Sequence, residues 1–166
     1  MAKSDKANEK TNVMRLLDKK KIPYTPHCYA GTGALSGLEV AATLGEDPAR
    51  VFKTLVARGR SGAHYVFLVP VSAELDLKKA AALAGEKAVS LLPQRELLPL
   101  TGYVHGGCSP IGMKKQFPTF VHETAAALPT LFCSAGRIGY QIELSPDALA
   151  GMLPVVFGDV AEEAVP

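Results

Sequence analysis

Val51-Phe52-Lys53-Thr54-Leu55-Val56-Ala57-Arg58 and His64-Tyr65-Val66-Phe67-Leu68-Val69-Pro70-Val71, joined through Gly59-Arg60-Ser61-Gly62, decide the fold. Both runs are rich in the β-branched and aromatic residues that suit a pleated sheet, and the short glycine-bounded link between them is a hairpin signal. Upstream, Glu9 to Lys21 places Val13, Leu16 and Leu17 three and four residues apart, which predicts an amphipathic helix ended by Pro23. Tyr24 to Tyr29 reads as a short strand, and Ser36-Gly37-Leu38-Glu39 as a capping box opening a helix that stops at Gly45. Asp47-Pro48 starts a single helical turn.

Downstream of the hairpin, Asp76 to Ala84 is a helix closing at Gly85, Ala88 to Leu92 a strand, and Gln94 to Leu98 a short helix. Thr119 to His122, Thr130 to Ser134 and Gly139 to Leu144 are expected to pair as a second antiparallel set, and Ser145-Pro146 to cap a last helix. Hairpins outnumber β-α-β crossovers in this order. The expectation is an α+β fold with a mostly antiparallel, barrel-like sheet and flanking helices.

The chain has 166 residues, 48% of them hydrophobic, enough for one core. We expect a single domain over 9–160, a disordered or cloning-derived stretch at 1–8, and a tail at 161–166. The net charge is +2. It is unevenly placed: Lys3, Lys6, Lys10, Arg15, Lys19, Lys20 and Lys21 precede a stretch, Ile22 to Val156, with eleven basic and ten acidic residues. That balance excludes a strongly basic nucleic-acid coat and gives no reason to expect DNA, so any RNA contact is local. Cys28, Cys108 and Cys133 are odd in number and lack C-x-x-C spacing, which argues against a disulfide framework and a closed zinc site and fits a reducing cytoplasm. The non-polar runs, among them Tyr65 to Val71, are too short for a bilayer, and no membrane partner is expected.

Chemistry gathers in two places. Thr101 to Lys115 holds Gly102, Gly106, Gly107 and Gly112 with Pro110, Lys114 and Lys115, a composition suited to a loop whose backbone N–H groups approach an oxyanion or phosphate, although a wide structural turn would use some of the same residues. Lys53 lies within an apolar strand, where its charge either guards an edge against aggregation or lines a pocket as a cation for negative charge. His105 with Cys108, and His27 with Cys28, could seat a metal, but a catalytic zinc needs three organised ligands, so no metal is expected. Cys108 could be a nucleophile, yet no activating base is evident beside it. Lys78, Lys79, Lys114 and Lys115 are either solvated helix faces or contacts for an RNA end.

Val51 to Leu55, Leu75-Asp76-Leu77-Lys78-Lys79, the Thr101 to Lys115 loop, Pro118-Thr119 and Gly139-Tyr140-Gln141-Ile142-Glu143-Leu144 together resemble, in consistent order from about Lys10 to Asp159, the YbaK family of Cys-tRNA(Pro) deacylases. These are relatives of the editing domain inserted in bacterial prolyl-tRNA synthetases. The resemblance implies an enzyme that removes a wrong amino acid from the 3′ end of aminoacyl-tRNA, without metal or organic cofactor, with a prolyl-tRNA synthetase as candidate partner. It places the family's essential lysine on Lys53, the following threonine on Thr54, the G-x-x-x-P loop on Gly106 and Pro110, the pocket tyrosine on Tyr29 and the serine near the last hairpin on Ser134. Gln141 stands where relatives carry aspartate, so a neutral amide replaces a carboxylate that could hold the substrate amino group.

With Lys53 as anchor and Gly106 and Gly107 supplying backbone donors, an already activated ester can be cleaved by positioning and charge stabilisation alone. The nucleophile is water or the thiol of the cysteinyl substrate. The competing readings are a deacylase for Ala- or another small aminoacyl-tRNA, a non-catalytic module that binds tRNA ends, and a cysteine hydrolase using Cys108.

Overall fold

Caps and chain reversals divide residues 9–162, which this computed structural model describes, into five α-helices and eight strands. Helix α1 (Asn12–Lys19) starts where Thr11 Oγ1 accepts the Met14 amide at 3.2 Å, and it buries Val13, Met14 and Leu17. Strand β1 (Thr25–Cys28) follows Pro23. Helix α2 (Gly37–Leu44) opens on the expected capping box, with Ser36 and Glu39 each accepting the other's amide at 3.1 Å, and ends at Gly45. Strands β2 (Phe52–Gly59) and β3 (His64–Pro70) pair antiparallel from Phe52 opposite Pro70 to Arg58 opposite His64, as the hairpin signal requires. Asp76 Oδ1 accepts the amides of Lys78 and Lys79 at 3.0 Å and so caps α3 (Leu77–Ala84).

Strand β4 (Val89–Leu91) pairs only with the far end of β2, Ala57 to Gly59. The sheet edge from Phe52 to Leu55 therefore has no strand beside it on that side among the described residues. Helix α4 (Gln94–Thr101) runs three residues beyond the expected end at Leu98, through Pro99. Proline removes one backbone donor, but the Gly102 amide still reaches the Leu98 carbonyl at 2.9 Å and Thr101 Oγ1 donates to the Leu97 carbonyl at 2.8 Å, which carry the last turn. After the glycine loop come β5 (Thr119–His122), a 3₁₀ turn over Glu123–Ala127, β6 (Leu131–Ser134), β7 (Tyr140–Leu144), α5 (Pro146–Met152) capped by Ser145, and β8 (Val155–Gly158).

The strands form two sheets, ordered β1-β7-β6 and β4-β2-β3-β5-β8. The fold is α+β and most pairings are antiparallel, but three expectations are corrected. Strand β5 leaves the expected set with β6 and β7 and lies parallel to β3, because the long excursion through α3, β4, α4 and the glycine loop returns the chain to the end from which β3 started. Strand β8, beginning just after Pro154, was not expected and lies parallel to β5. The sheets do not close into a barrel: where they meet, an isolated bridge joins Val51, just before β2, to Phe132 of β6, and no other strand pairing joins the two sheets among the described residues.

Alternate residues of β3 serve two cores. Val66 and Leu68 face the inter-sheet core with Val13, Leu17, Val56, Leu131 and Ile142, while Phe67 and Val69 face α3 with Ala57 and Ala80. Burial on both faces explains the unbroken apolar run from Tyr65 to Val71. Ala161 bridges Leu75 and the Glu162 amide donates to the Glu74 carbonyl at 2.9 Å, so these two residues of the tail are joined to the segment before α3. The expectation for residues 1–8 falls outside the described residues, as does the tail beyond 162.

Candidate active site

Beside the unpaired half of β2 lies a pocket of about 290 Å³. The backbone alternation that sends the Val56 carbonyl to the Leu92 amide (2.9 Å) turns the Thr54 backbone toward the same side. Lys53 and Thr54 of β2 form one wall. Ser134 of β6 and Gln141 of β7, directly opposite each other in the ladder, form another. Tyr29, whose amide extends the β1–β7 pairing by donating to the Gly139 carbonyl at 2.7 Å, and Gly106 of the glycine loop complete it. Residues from both sheets and from a loop far apart in sequence thus meet around one hollow.

The polar groups of these walls are unevenly satisfied. Lys53 Nζ donates to Glu74 Oε2 at 3.2 Å, an exposed partner that a ligand can displace. Ser134 Oγ accepts the Gly136 amide at 3.1 Å. Thr54 Oγ1 and Gln141 Oε1 are buried with no hydrogen-bond partner among the described residues. A buried polar atom without a partner costs about 1–3 kcal/mol, and two lining one pocket are what a site built for a polar ligand requires. Thr54 can donate or accept, and the Gln141 carbonyl accepts, so together they suit an ammonium, hydroxyl or thiol group.

The glycine loop is held from behind. Tyr103 Oη donates to the Ile111 carbonyl at 2.6 Å, and the Lys114 amide donates to the Thr101 carbonyl at 3.0 Å. Gly106 has φ +87°, a left-handed conformation that side chains resist, and its amide has no partner among the described residues. Gly107 answers a different demand. Its amide is already donated to the Val104 carbonyl at 3.0 Å, and a Cβ there would lie 3.0 Å from Ile138 N and 3.3 Å from Arg137 C. Gly107 therefore lets the loop press against the β6–β7 turn, and with its donor spent it does not line the pocket. Pro110 is likewise buried behind the wall and shapes the loop from there.

Cys108 reaches the pocket, but burial pushes its thiol up to about 12 against a weaker opposing hydrogen bond with Thr101. Burial thus disfavours the thiolate form that an activated nucleophile needs. His105 and the apolar Leu35, Val40 and Leu97 also line the pocket, and sequence reasoning missed these roles. For His105 the signal was its position immediately before Gly106; the other three carry no local mark. Among the described residues no three His, Cys, Asp or Glu side chains gather as metal ligands, and no helix is long and apolar enough to cross a membrane. Lys79 lies away from the pocket, bonded to Asp159 and to the Ala161 carbonyl at 3.0 Å each.

The family model described as the aminoacyl-tRNA editing domain matches residues 34–152, a span that carries every wall of the pocket except Tyr29. A candidate Cys-tRNA(Pro)/Cys-tRNA(Cys) deacylase of Enterococcus faecalis, EbsC, is 44% identical over 161 residues, covering 96% of this chain and 98% of its own. The uncharacterised protein YwhH of Bacillus subtilis is 30% identical over 112 residues, 68% of this chain and 71% of its own. Among solved structures, the hypothetical protein APE2540 superposes with a TM-score of 0.84 at 24% identity, over 92% of this chain and 100% of its own. A candidate trans-editing enzyme for prolyl-tRNA synthetase does so with 0.80 at 22% identity, over 93% and 100%; at these identities both show the shared fold. The extent of the family match and the near full-length identity to EbsC have one reading: the chain belongs to the aminoacyl-tRNA editing domain family.

Proposed function

We propose that this protein is a trans-editing aminoacyl-tRNA deacylase that removes cysteine from Cys-tRNA(Pro), and from Cys-tRNA(Cys), with residues 9–160 as its deacylase domain, working in the cytoplasm beside prolyl-tRNA synthetase. The observation that carries the reading is the pairing, in a hollow of about 290 Å³, of a displaceable lysine with two unpartnered buried oxygens, Thr54 Oγ1 and Gln141 Oε1. A volume of that order suits a small polar aminoacyl group. Its ammonium would be held by Gln141 and Thr54, and its ester carbonyl would face the Gly106 amide with Lys53 nearby. The family membership and the name borne by EbsC support the same substrate.

With the Cys108 thiol held neutral, the nucleophile is brought by the substrate. The cysteinyl sulfur attacks its own carbonyl carbon, the bond from that carbon to the 3′ oxygen breaks, and the 3′ oxygen takes up the proton lost from the thiol, leaving a thiolactone and free tRNA. Such an intramolecular attack gains an effective molarity on the order of 10⁵ M or more, so the protein need only hold the bent conformer and stabilise the oxyanion. A second reading, water as nucleophile with His105 as its base, draws on the imidazole in the pocket wall. Deacylation of Cys-, Ser- and Ala-tRNA(Pro) separates them. A strong preference for the cysteinyl ester with a thiolactone product is expected. Equal cleavage of Ala-tRNA would establish water as nucleophile, and no cleavage of any charged tRNA above the buffer rate would refute the deacylase reading.

A further inference from the structure

A second hollow, about 510 Å³, opens on an adjacent face of α4, between Arg58 and His64 of the β2–β3 hairpin and Leu92, Arg95, Pro99 and Leu100. None of the candidate site residues lines it. Its charge is mostly positive. Arg58 Nη2 bonds Glu96 Oε1 at 2.5 Å, the single carboxylate of the wall, while Arg95 is exposed in the first turn of α4. Burial, then the charges of Arg58 and, more weakly, Lys115, hold the His64 imidazole below its ordinary range despite an opposing pull from Glu96, and its Nε2 is buried with no partner among the described residues.

We propose that this cleft binds the sugar-phosphate backbone of the RNA strand whose 3′ end enters the pocket, with Arg58 and Arg95 on phosphate oxygens and Leu92, Pro99 and Leu100 against ribose and base faces. The inference rests on the proposed function, and it locates a contact surface that this function leaves unassigned. Two features support it. Planar guanidinium groups match phosphate geometry and tolerate partial burial better than ammonium groups. The two hollows also share their framework: β2 supplies Thr54 to one and Arg58 to the other, and α4 supplies Leu97 to one and Pro99 and Leu100 to the other. Four residues along a strand span roughly 13 Å, a distance that a few nucleotides of single strand can bridge. Glu96 then competes with phosphate for Arg58 and limits how tightly RNA is held.

Binding of uncharged tRNA(Pro) as a function of salt, with turnover of a 3′-cysteinyl-adenosine ester that has no backbone to offer, tests this. Arg95→Glu is the main variant, because an acidic residue in the first turn of a helix is compatible with its dipole and leaves the fold intact. The expected result is a Kd for tRNA raised about tenfold, a log–log salt slope shallower by about 0.7 for each phosphate no longer neutralised, and unchanged turnover of the small ester. Glu96→Gln should lower the Kd. Unchanged tRNA affinity in Arg95→Glu would overturn the inference, including the case where binding to a protein partner disappears instead. A wild-type protein that cleaves neither the ester nor charged tRNA would sink the deacylase reading, while the Kd comparison would still decide the cleft.

Discussion

Replacing Lys53 by methionine keeps most of the side chain's length but removes its charge, and two magnitudes can be set against each other. Its ion partner Glu74 has a side chain 73% exposed, so the 3.2 Å pair is screened and its loss costs about 0–1 kcal/mol, a shift in Tm of about 2–4 °C at most for a chain of this size. If Lys53 acts as proposed, the same charge placed about 4 Å from a developing oxyanion at an effective dielectric constant near 20 would be worth about 4 kcal/mol. Loss of one preorganised oxyanion donor typically costs about 10²–10³ in rate. Single-turnover deacylation of Cys-tRNA(Pro) should therefore slow by about 10²–10³ in Lys53→Met, while thermal unfolding barely moves. Retention of more than about a tenth of the wild-type rate, or a stability loss of several kcal/mol, would refute the assignment of Lys53 as a functional charge.

Four further outcomes are expected. Thr54→Val removes a buried hydroxyl that has no partner, so urea unfolding should show the variant more stable by about 1 kcal/mol even as deacylation falls; lower stability would mean that the hydroxyl is bonded in the fold. Gly107→Ala forces a Cβ to 3.0 Å from the Ile138 backbone nitrogen and should destabilise by about 1–3 kcal/mol, so an unchanged urea midpoint would show that the loop does not press on that turn. Cys108→Ala should keep its rate within a few-fold, and alkylation of the native thiol at neutral pH should be slow; rapid labelling would contradict a thiol raised to about 12. The Thr130 hydroxyl, and then His27, hold the Glu143 carboxyl below its ordinary range, with burial opposing. A lowered folded value stabilises above the unfolded one and is lost as pH falls through the folded one, so the advantage of wild type over Glu143→Gln should be full above the unfolded carboxyl's value of about 4.3 and shrink progressively as pH falls below it.

Much of this is legible in the sequence because its causes are local. The Ser36–Glu39 box and the Gly59–Gly62 reversal each carry their own hydrogen-bonding logic within a few residues, and the structure repeats them. Lys53 stands out because a charge in an apolar strand needs a reason. What escapes is set by distant partners. Nothing in Thr119–His122 says that its neighbour is β3 and that the pairing is parallel, and Val155–Gly158 is too short to announce itself beside β5. Pro99 reads as a helix end, and only the Thr101 side chain and the Gly102 amide show how the helix survives it. The Gly107 amide reads as a donor for substrate, and only its turn with Val104 shows that it is already spent.

Because Thr54 stands on one sheet and Ser134 and Gln141 on the other, with the β-bridge between Val51 and Phe132 at the seam, the width of the pocket is an inter-sheet spacing. That spacing is governed by the volumes of Val56, Leu131 and Ile142 in the shared core. Under the proposed function, which amino acid is admitted could then drift through interior substitutions that never touch the ligand, each retuning an aperture by a methyl group's worth of packing. On that reading, a search for specificity determinants confined to the pocket wall would miss these core positions.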